Sequence, residues 1–328
     1  MLSSLWTQAF PPKPPFTDEN VPDLQGKVYI VTGSNTGVGK ELAKILFFRN
    51  AKVYVAARSE EKANSAIEEI KNANPNSKGE LASLLLNLSD LTTIKASAES
   101  FIAKESKLHV LFNNAGVMTP PKGSKTDQGH ELQLGVNGIA PFLFTKLLTP
   151  TLVSTAKTEP PNTVRVIWVS SVVMETGAPK SVGVPIDQLE RLKETGSPYF
   201  NYAISKAANY LYAFEFAKQH KADGVISVAL NPGNLASDLS RYRGAVVRQL
   251  MRPTLHPPVF GAYTELFAGL SPEVTMEKAR STDWIVPWGR FAPVRPDLVE
   301  ATKTEAEGGN GTAQKFWEWT EKQVEPYL

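Results

Sequence analysis

A short apolar run, Val28-Tyr29-Ile30-Val31, passes straight into Thr32-Gly33-Ser34-Asn35-Thr36-Gly37-Val38-Gly39 and then into a helix-forming stretch, Lys40 to Asn50. A strand, a glycine-rich turn and a helix in that order form a phosphate-binding unit. Gly33 permits the tight turn, Gly37 lets the backbone approach a pyrophosphate, and Gly39 lets the helix pack closely on the strand. The helix N-terminus, with Val38 in its first turn, then offers free amides and the positive end of its dipole to the phosphates. Asn35 lies within the same loop.

The rest of the chain repeats the alternation. Lys52–Ala57, Leu81–Leu86, Val110–Phe112, Val164–Val169 and Val225–Leu230 read as buried strands. Helices are expected over Glu60–Asn72, Leu91–Glu105, about Asp127–Val153 and Tyr202–His220. Apolar strands separated by helices predict one doubly wound α/β domain with a parallel sheet covered on both faces. The 328 residues suit a single such domain with insertions, spanning 23–328 behind a proline-rich arm, residues 1–22. Pro11, Pro12, Pro14 and Pro15 favour extended, non-helical backbone there, and Trp6, Phe10 and Phe16 are the residues that would pin the arm. Past Asn231 the alternation is expected to stop. Residues 238–262 carry Arg241, Arg243, Arg248 and Arg252, with Val247, Leu250 and Met251 at helical spacing. A lid helix over a substrate cleft is the preferred reading, ahead of a helix that touches a membrane. Trp284, Trp288, Trp317 and Trp319 are expected to cap the core or an interface.

Several function classes fall away on composition. A net charge of +2 without a basic block argues against nucleic acid as partner. A chain with no cysteine has no thiolate nucleophile or thiolate metal site, and its four scattered histidines predict no metal centre. The N-terminus does not read as a secretory signal and no apolar run suggests a transmembrane segment, so a cytoplasmic location is expected, with peripheral membrane association left open.

Two positions carry the chemistry. At the end of the second strand, Ala57-Arg58-Ser59 places a guanidinium where NAD-binding folds place an acid on the ribose 2′-hydroxyl. A carboxylate would repel a 2′-phosphate, whereas arginine binds it through paired hydrogen bonds, so NADP(H) is the expected cofactor. Asn35 and Lys62 are secondary contacts. Tyr202-Ala203-Ile204-Ser205-Lys206 sets a phenol and an ammonium one turn apart on one helix face. A free tyrosine with a pKa near 10 is a poor acid at neutral pH; a neighbouring ammonium stabilises its phenolate and lowers that value.

The Gly-x-x-x-Gly-x-Gly spacing and the Tyr-x-x-x-Lys pair resemble the short-chain dehydrogenase/reductase family, and the resemblance extends over roughly residues 24 to 270. Asn113-Asn114-Ala115-Gly116 matches the family's Asn-Asn-Ala-Gly segment, which steadies the sheet and puts Asn114, Ala115 and Gly116 against the cofactor's adenosine half. Ser171, after strand five, matches the substrate-orienting serine, and Asn137 the asparagine that holds a proton-relay water. Pro232-Gly233-Asn234-Leu235-Ala236-Ser237 resembles Pro-Gly-x-Val-x-Thr, which implies that the Leu235 amide and the Ser237 hydroxyl meet the nicotinamide carboxamide. Asn87-Leu88 stands where the family usually has an aspartate near the adenine. The long Ser171–Tyr202 interval is similar to that of the retinol dehydrogenase and WW-domain oxidoreductase group, and Met174 to Phe200 is expected to form a substrate-side loop, so that 172–200 and 238–262 are the substrate segments.

The resemblance therefore implies hydride transfer between a nicotinamide and a hydrophobic ketone, aldehyde or alcohol. Asn137, Ser171, Tyr202 and Lys206 would be the catalytic residues, and a homodimer or homotetramer the assembly. The rival from another class is a regulator or scaffold that senses NADP(H) on the same fold without catalysis.

Overall fold

The computed structural model describes residues 2–240, 242, 249, 254–279, 281 and 283–328. Its centre is one eight-stranded sheet in the order β3-β2-β1-β4-β5-β6-β7-β8. The strands are β1 (Val28–Thr32), β2 (Lys52–Ala57), β3 (Glu80–Leu85), β4 (Val110–Asn113), β5 (Arg165–Val169), β6 (Ile226–Leu230), β7 (Asp283–Val286) and β8 (Arg290–Pro293). All neighbours pair in parallel except β8, which returns antiparallel along β7. Every residue of β1, β4, β5 and β6 is buried, as the apolar, β-branched composition of these strands requires of a sheet covered on both faces.

The helices are α1 (Leu2–Ala9), α2 (Gly37–Phe48), α3 (Glu60–Ala73), α4 (Ile94–Ile102), α5 (Leu132–Ala156), α6 (Val173–Gly177), α7 (Leu192–Thr195), α8 (Pro198–Gln219), α9 (Pro258–Leu270), α10 (Met276–Ala279), α11 (Pro296–Thr302) and α12 (Thr312–Val324). One core layer joins α4, α5, α8 and α12 to the sheet, and a second lies beneath α2, α3 and α9. Helix α5 has the length and apolarity of a membrane span, yet 72% of its apolar window is buried within the fold, as in a core helix.

Connections on the two sides of β1 run in opposite directions, with β2 and β3 on one side and β4 onward on the other. That reversal opens a crevice at the carboxyl ends of β1 and β4, the place where doubly wound sheets bind ligands. His109 ties β1 to β4 at the opposite, amino-terminal edge of the sheet. Its Nδ1 accepts the Val28 amide at 3.0 Å, and burial lowers its pKa so that the ring stays neutral.

Four expectations need correction. The amino-terminal arm is not extended throughout: Leu2–Ala9 is helical, and the prolines begin only where that helix has ended. Gln8, Phe16 and Val21 are buried, so the arm belongs to the folded body. The alternation does not stop at Asn231, because β7 continues the parallel sheet through the Asn231 amide, which donates to the Ile285 carbonyl at 2.8 Å. The weak β7 pattern, with two tryptophans and a proline nearby, hid this strand. The Met174–Phe200 segment is built of α6, a 3-10 helix (Ile186–Arg191) and α7 rather than loop, with Leu189 and Leu192 in the core.

Most of the helix expected within 238–262 is not described. Arg241, Arg243, Val247, Arg248, Leu250, Met251 and Arg252 lie outside the described residues, but residues 258–262 open α9, a core helix packed on α2. A Cβ on Gly261 would meet Leu235 at 2.3 Å and Val38 at 3.0 Å, which shows how closely this helix seats under the glycine loop. Trp284, Trp288 and Trp317 are buried, in keeping with a core role.

Candidate active site

The crevice widens into a cleft of about 1200 Å³, beyond the roughly 300–1,000 Å³ of an ordinary single-ligand pocket. At one end lie Gly33, Asn35, Gly37 and Val38, with Arg58, Lys62, Asn87 and Leu88 beside them. Asn114, Ala115 and Gly116 form the floor. At the other end Ser171, Tyr202 and Lys206 face Pro232, Gly233, Leu235 and Ser237. Of the residues singled out from sequence, only Gly39 and Asn137 stand behind this surface.

The glycine loop is shaped by contact with strand β4. Gly33 has φ +69°, and a Cβ there would lie 2.9 Å from the Ala115 Cα. A larger residue would therefore be strained and would also push the Asn-Asn-Ala-Gly segment away. Gly39 is equally tight, since a Cβ would reach the Asn114 amide nitrogen at 2.5 Å. Those two loops are stitched together by side chains. Asn114 Nδ2 donates to the Thr32 carbonyl at 2.7 Å, the Ala115 amide donates to Thr32 Oγ1 at 2.9 Å, and Thr32 Oγ1 donates to the Phe112 carbonyl at 3.1 Å. Thr36 Oγ1 reaches across the cleft to Asp238 at 3.0 Å, a partner that sequence spacing did not reveal.

Arg58 emerges from β2 at the lip of the cleft. It is exposed and makes no ion pair or hydrogen bond among the described residues. Ser59, next in the chain, caps α3 by accepting the Lys62 amide at 3.4 Å, which brings Lys62 to the same lip. Asn87 Oδ1 accepts from the Ser89 amide and hydroxyl, so its side chain shapes the turn under the cleft.

The end of the cleft that holds Tyr202 and Lys206 is organised by the first turns of α8. Ser197 accepts the Phe200 amide as N-cap and Pro198 occupies the first turn, a strong start signal. Tyr202 and Lys206 follow one turn apart, each 3% exposed. Lys206 Nζ donates to the Val169 carbonyl at 2.8 Å and lies 5.6 Å from the Tyr202 ring centre. Asn209 Nδ2 donates to the same carbonyl at 3.0 Å, and Ser170 Oγ donates to the Lys206 carbonyl at 2.7 Å. Strand β5 and helix α8 are thus clamped together beneath Tyr202 and Lys206. Ser170 and Asn209 belong to no obvious motif and were not found by sequence reasoning. Ser171 follows at the end of β5, with Oγ accepting the Val173 amide at 3.3 Å.

Burial pushes the Lys206 ammonium down to about 8, opposed by the charge of Glu265. Glu265, on α9, is fully buried and neither carboxyl oxygen meets a donor among the described residues. Burial raises its carboxyl to about 8, against the pull of Lys206. Nothing in the sequence pattern marks this acid; its position on an apolar helix face was the available signal.

Asn137 sits in a π-helical turn of α5, Gly135–Ile139. Its Nδ2 donates to the Val117 carbonyl and to Ser205 Oγ, both at 2.9 Å, and its Oδ1 accepts the Val117 amide at 2.8 Å. Both amide hydrogens are therefore spent on the fold, joining the strand β4 exit to α8. Such turns release backbone carbonyls and recur at functional sites. A Cβ on Gly116 would lie 3.2 Å from Asn137 Oδ1 and 3.6 Å from Lys206 Nζ, so both groups approach one spot on the cleft floor.

Comparison with known proteins gives the same picture. The family model for short chain dehydrogenase matches residues 27–182. A short-chain dehydrogenase/reductase of Phomopsis amygdali is 53% identical over 330 residues, covering 100% of this chain and 98% of its own. The short-chain dehydrogenase/reductase bet4 of Neocamarosporium betae is 49% identical, covering 100% of this chain and 94% of its own. Among solved structures, an uncharacterized protein from Mycobacterium paratuberculosis superposes with a TM-score of 0.67 at 24% identity, covering 94% of this chain and 97% of its own. Pseudomonas aeruginosa RhlG in an NADP active-site complex gives 0.60 at 20% identity, covering 81% and 96%, a likeness of fold. With the glycine loop, the Asn-Asn-Ala-Gly floor and the Tyr-x-x-x-Lys helix meeting in one cleft, the chain belongs to the short-chain dehydrogenase/reductase family of oxidoreductases.

Proposed function

We propose that this protein is an NADP(H)-dependent reductase or dehydrogenase acting on a hydrophobic carbonyl or the corresponding alcohol. One observation carries the reading: Ser171, Tyr202 and Lys206 face one cleft with the glycine loop, and the Val169 carbonyl holds Lys206 Nζ in place. The residues present fit the cofactor. The exposed Arg58 guanidinium, without a partner among the described residues, and Lys62 stand at the β2 lip, where a 2′-phosphate would need cations, and no acid follows Ala57 to oppose it. Gly33, Asn35, Gly37 and Val38 would cradle the pyrophosphate at the α2 N-terminus, with Gly39 behind them. Asn87, Leu88, Asn114, Ala115 and Gly116 would flank the adenosine half, and Pro232, Gly233, Leu235 and Ser237 the nicotinamide. When bound, NADPH supplies the hydride.

The chain's own groups then manage the oxygen. Ser171 Oγ donates a hydrogen bond to the substrate oxygen and orients it. Tyr202 holds its phenolic proton toward the same oxygen and gives it up as negative charge develops there. Lys206, protonated below about pH 8, stabilises the tyrosinate left behind and binds the nicotinamide ribose. Asn137 fixes the floor beside Gly116, where a water can return a proton from bulk solvent to the Lys206–Tyr202 pair. The Ser171–Tyr202 interval is what supports a likeness to the retinol dehydrogenase group.

NADPH oxidation monitored against aromatic ketones, retinoid-like aldehydes and polyketide-type carbonyls tests the assignment. Tyr202→Phe removes the proton donor while leaving the cofactor surface, so turnover should fall at least about a thousandfold with NADPH binding retained. A Phe variant with full activity would overturn the mechanism.

A further inference from the structure

We propose that helix α1 is a built part of the substrate site, latched across the cleft by Gln8, and that its apolar residues make the protein selective for elongated hydrophobic carbonyls. The proposal rests on the carbonyl chemistry of the preceding section for its substrate, and on separate geometry for its device.

Gln8, a polar residue on the eight-residue helix α1, is only 3% exposed. Both ends of its carboxamide are engaged. Nε2 donates to Glu175 Oε2 at 3.1 Å, and Oε1 accepts from Asn231 Nδ2 at 2.9 Å. Glu175 lies on α6, four residues past Ser171. Its Oε1 accepts the Arg295 amide at 2.9 Å, and its backbone carbonyl accepts from Arg295 Nη1 at 2.7 Å. Asn231 Oδ1 accepts the Gly233 amide at 3.1 Å and so shapes the Pro232-Gly233 turn. One side chain therefore bridges the segment that carries Ser171 and the turn on the opposite wall. A second tie, from Arg290 Nη2 to the Thr7 carbonyl at 2.9 Å, anchors the same helix turn to β8.

With the helix held there, Leu5, Ala9 and Phe10 join the lining of the cleft. Phe10 is 52% exposed and packs against Trp6 at a ring-centre distance of 4.6 Å, which gives the mouth a stiff aromatic rim. A short carbonyl compound held by Ser171 and Tyr202 has little apolar surface to set against this rim. A longer apolar tail would lie along it and lose water-exposed surface in proportion to its length.

The test compares butanal with octanal, reduced by NADPH, in the full chain and in two variants. Gln8→Glu sets a carboxylate against Glu175 and releases the latch; Phe10→Ser leaves the latch and strips the rim. The octanal-to-butanal ratio of kcat/KM should fall about tenfold in Gln8→Glu and by a smaller factor, about threefold, in Phe10→Ser, chiefly through the KM for octanal. An unchanged ratio in both variants overturns the proposal, and so does an equal loss for the two aldehydes. Calorimetric binding of 1-octanol to the NADP-loaded protein gives a readout free of turnover. Its dissociation constant should rise about tenfold in Gln8→Glu. If the full chain reduces neither aldehyde, the reductase reading fails for this class, while equal octanol affinity in full chain and variant would defeat the α1 proposal on its own.

Discussion

The two ends of the cleft are held together by different means. At the proposed cofactor end the contacts join two short loops, 82 residues apart at Thr32 and Asn114, through backbone and small side chains: Gly33 against Ala115, Asn114 on the Thr32 carbonyl, Gly39 beneath Asn114. At the substrate end they are made by long polar side chains from remote parts of the chain, such as Gln8 to Asn231, Gln8 to Glu175 and Arg295 to Glu175. A phosphate cradle depends on close backbone approach, which few residues permit, so its composition is narrow. A wall for an apolar ligand needs only volume and a hold, which many side chains can provide. On the proposed function, the first end is the more general surface and the second the place where substrate choice would reside.

If the division is real, a change at the cofactor lip should leave the substrate end untouched. Arg58→Asp replaces an exposed guanidinium with a charge that repels a 2′-phosphate. We expect kcat/KM for NADPH to fall about 100-fold, the scale of losing charge-assisted hydrogen bonds of roughly 1.5–3 kcal/mol each, while the KM for the carbonyl stays the same. Steady-state kinetics with NADPH and NADH at saturating carbonyl measure both terms. An unchanged NADPH preference would remove Arg58 from the cofactor role, and a shifted carbonyl KM would show that the two ends are not separable.

Lys206 belongs to both ends, and its titration should report on the joint. Burial brings it down to about 8, opposed by Glu265. Reduction needs the ammonium, so kcat/KM for the carbonyl should hold level from pH 6 to about 7.5 and then fall about tenfold per unit above about pH 8. Lys206→Arg, whose guanidinium stays charged in this range, should show lower activity without that fall. A wild-type profile that stays level to pH 10 would separate Lys206 from the proton transfer.

The same contrast explains what could be read in advance. Strand composition and the order of glycines, Asn-Asn-Ala-Gly, Ser171 and Tyr202-Lys206 were enough to place one doubly wound sheet and the residues around one cleft, because each motif reflects a local backbone need. Helix α1 was missed for the opposite reason. The four prolines after Phe10 dominate local propensity, and Gln8 acquires its role only through partners 167 and 223 residues away. Strand β7 was missed because Leu230 and Ile285 form its paired register with β6, so its identity comes from the sheet it joins rather than from its own four residues. Ser170 and Asn209 were invisible in the same way: an ordinary serine and asparagine become clamps only when β5 and α8 are brought together.

The smallest expected effect concerns Glu265, which lies on the cofactor side of the sheet yet feels the charge of Lys206. Burial raises its carboxyl from the ordinary 4.5 to about 8. Between those values the folded protein keeps a proton that the unfolded chain releases, so stability falls as pH rises from about 4.5 to about 8. Lys206 acts in a different window: its lowered pKa means that the unfolded chain holds the extra proton between about 8 and 10.5, and stability rises there. Glu265→Gln preserves shape and removes the lower-window titration. Its melting temperature should match that of the wild type near pH 5 and exceed it by several degrees at pH 8, as read by thermal unfolding across that range. Parallel curves for the two proteins would mean that Glu265 is ionised in the fold, its burial outweighed by the charge of Lys206.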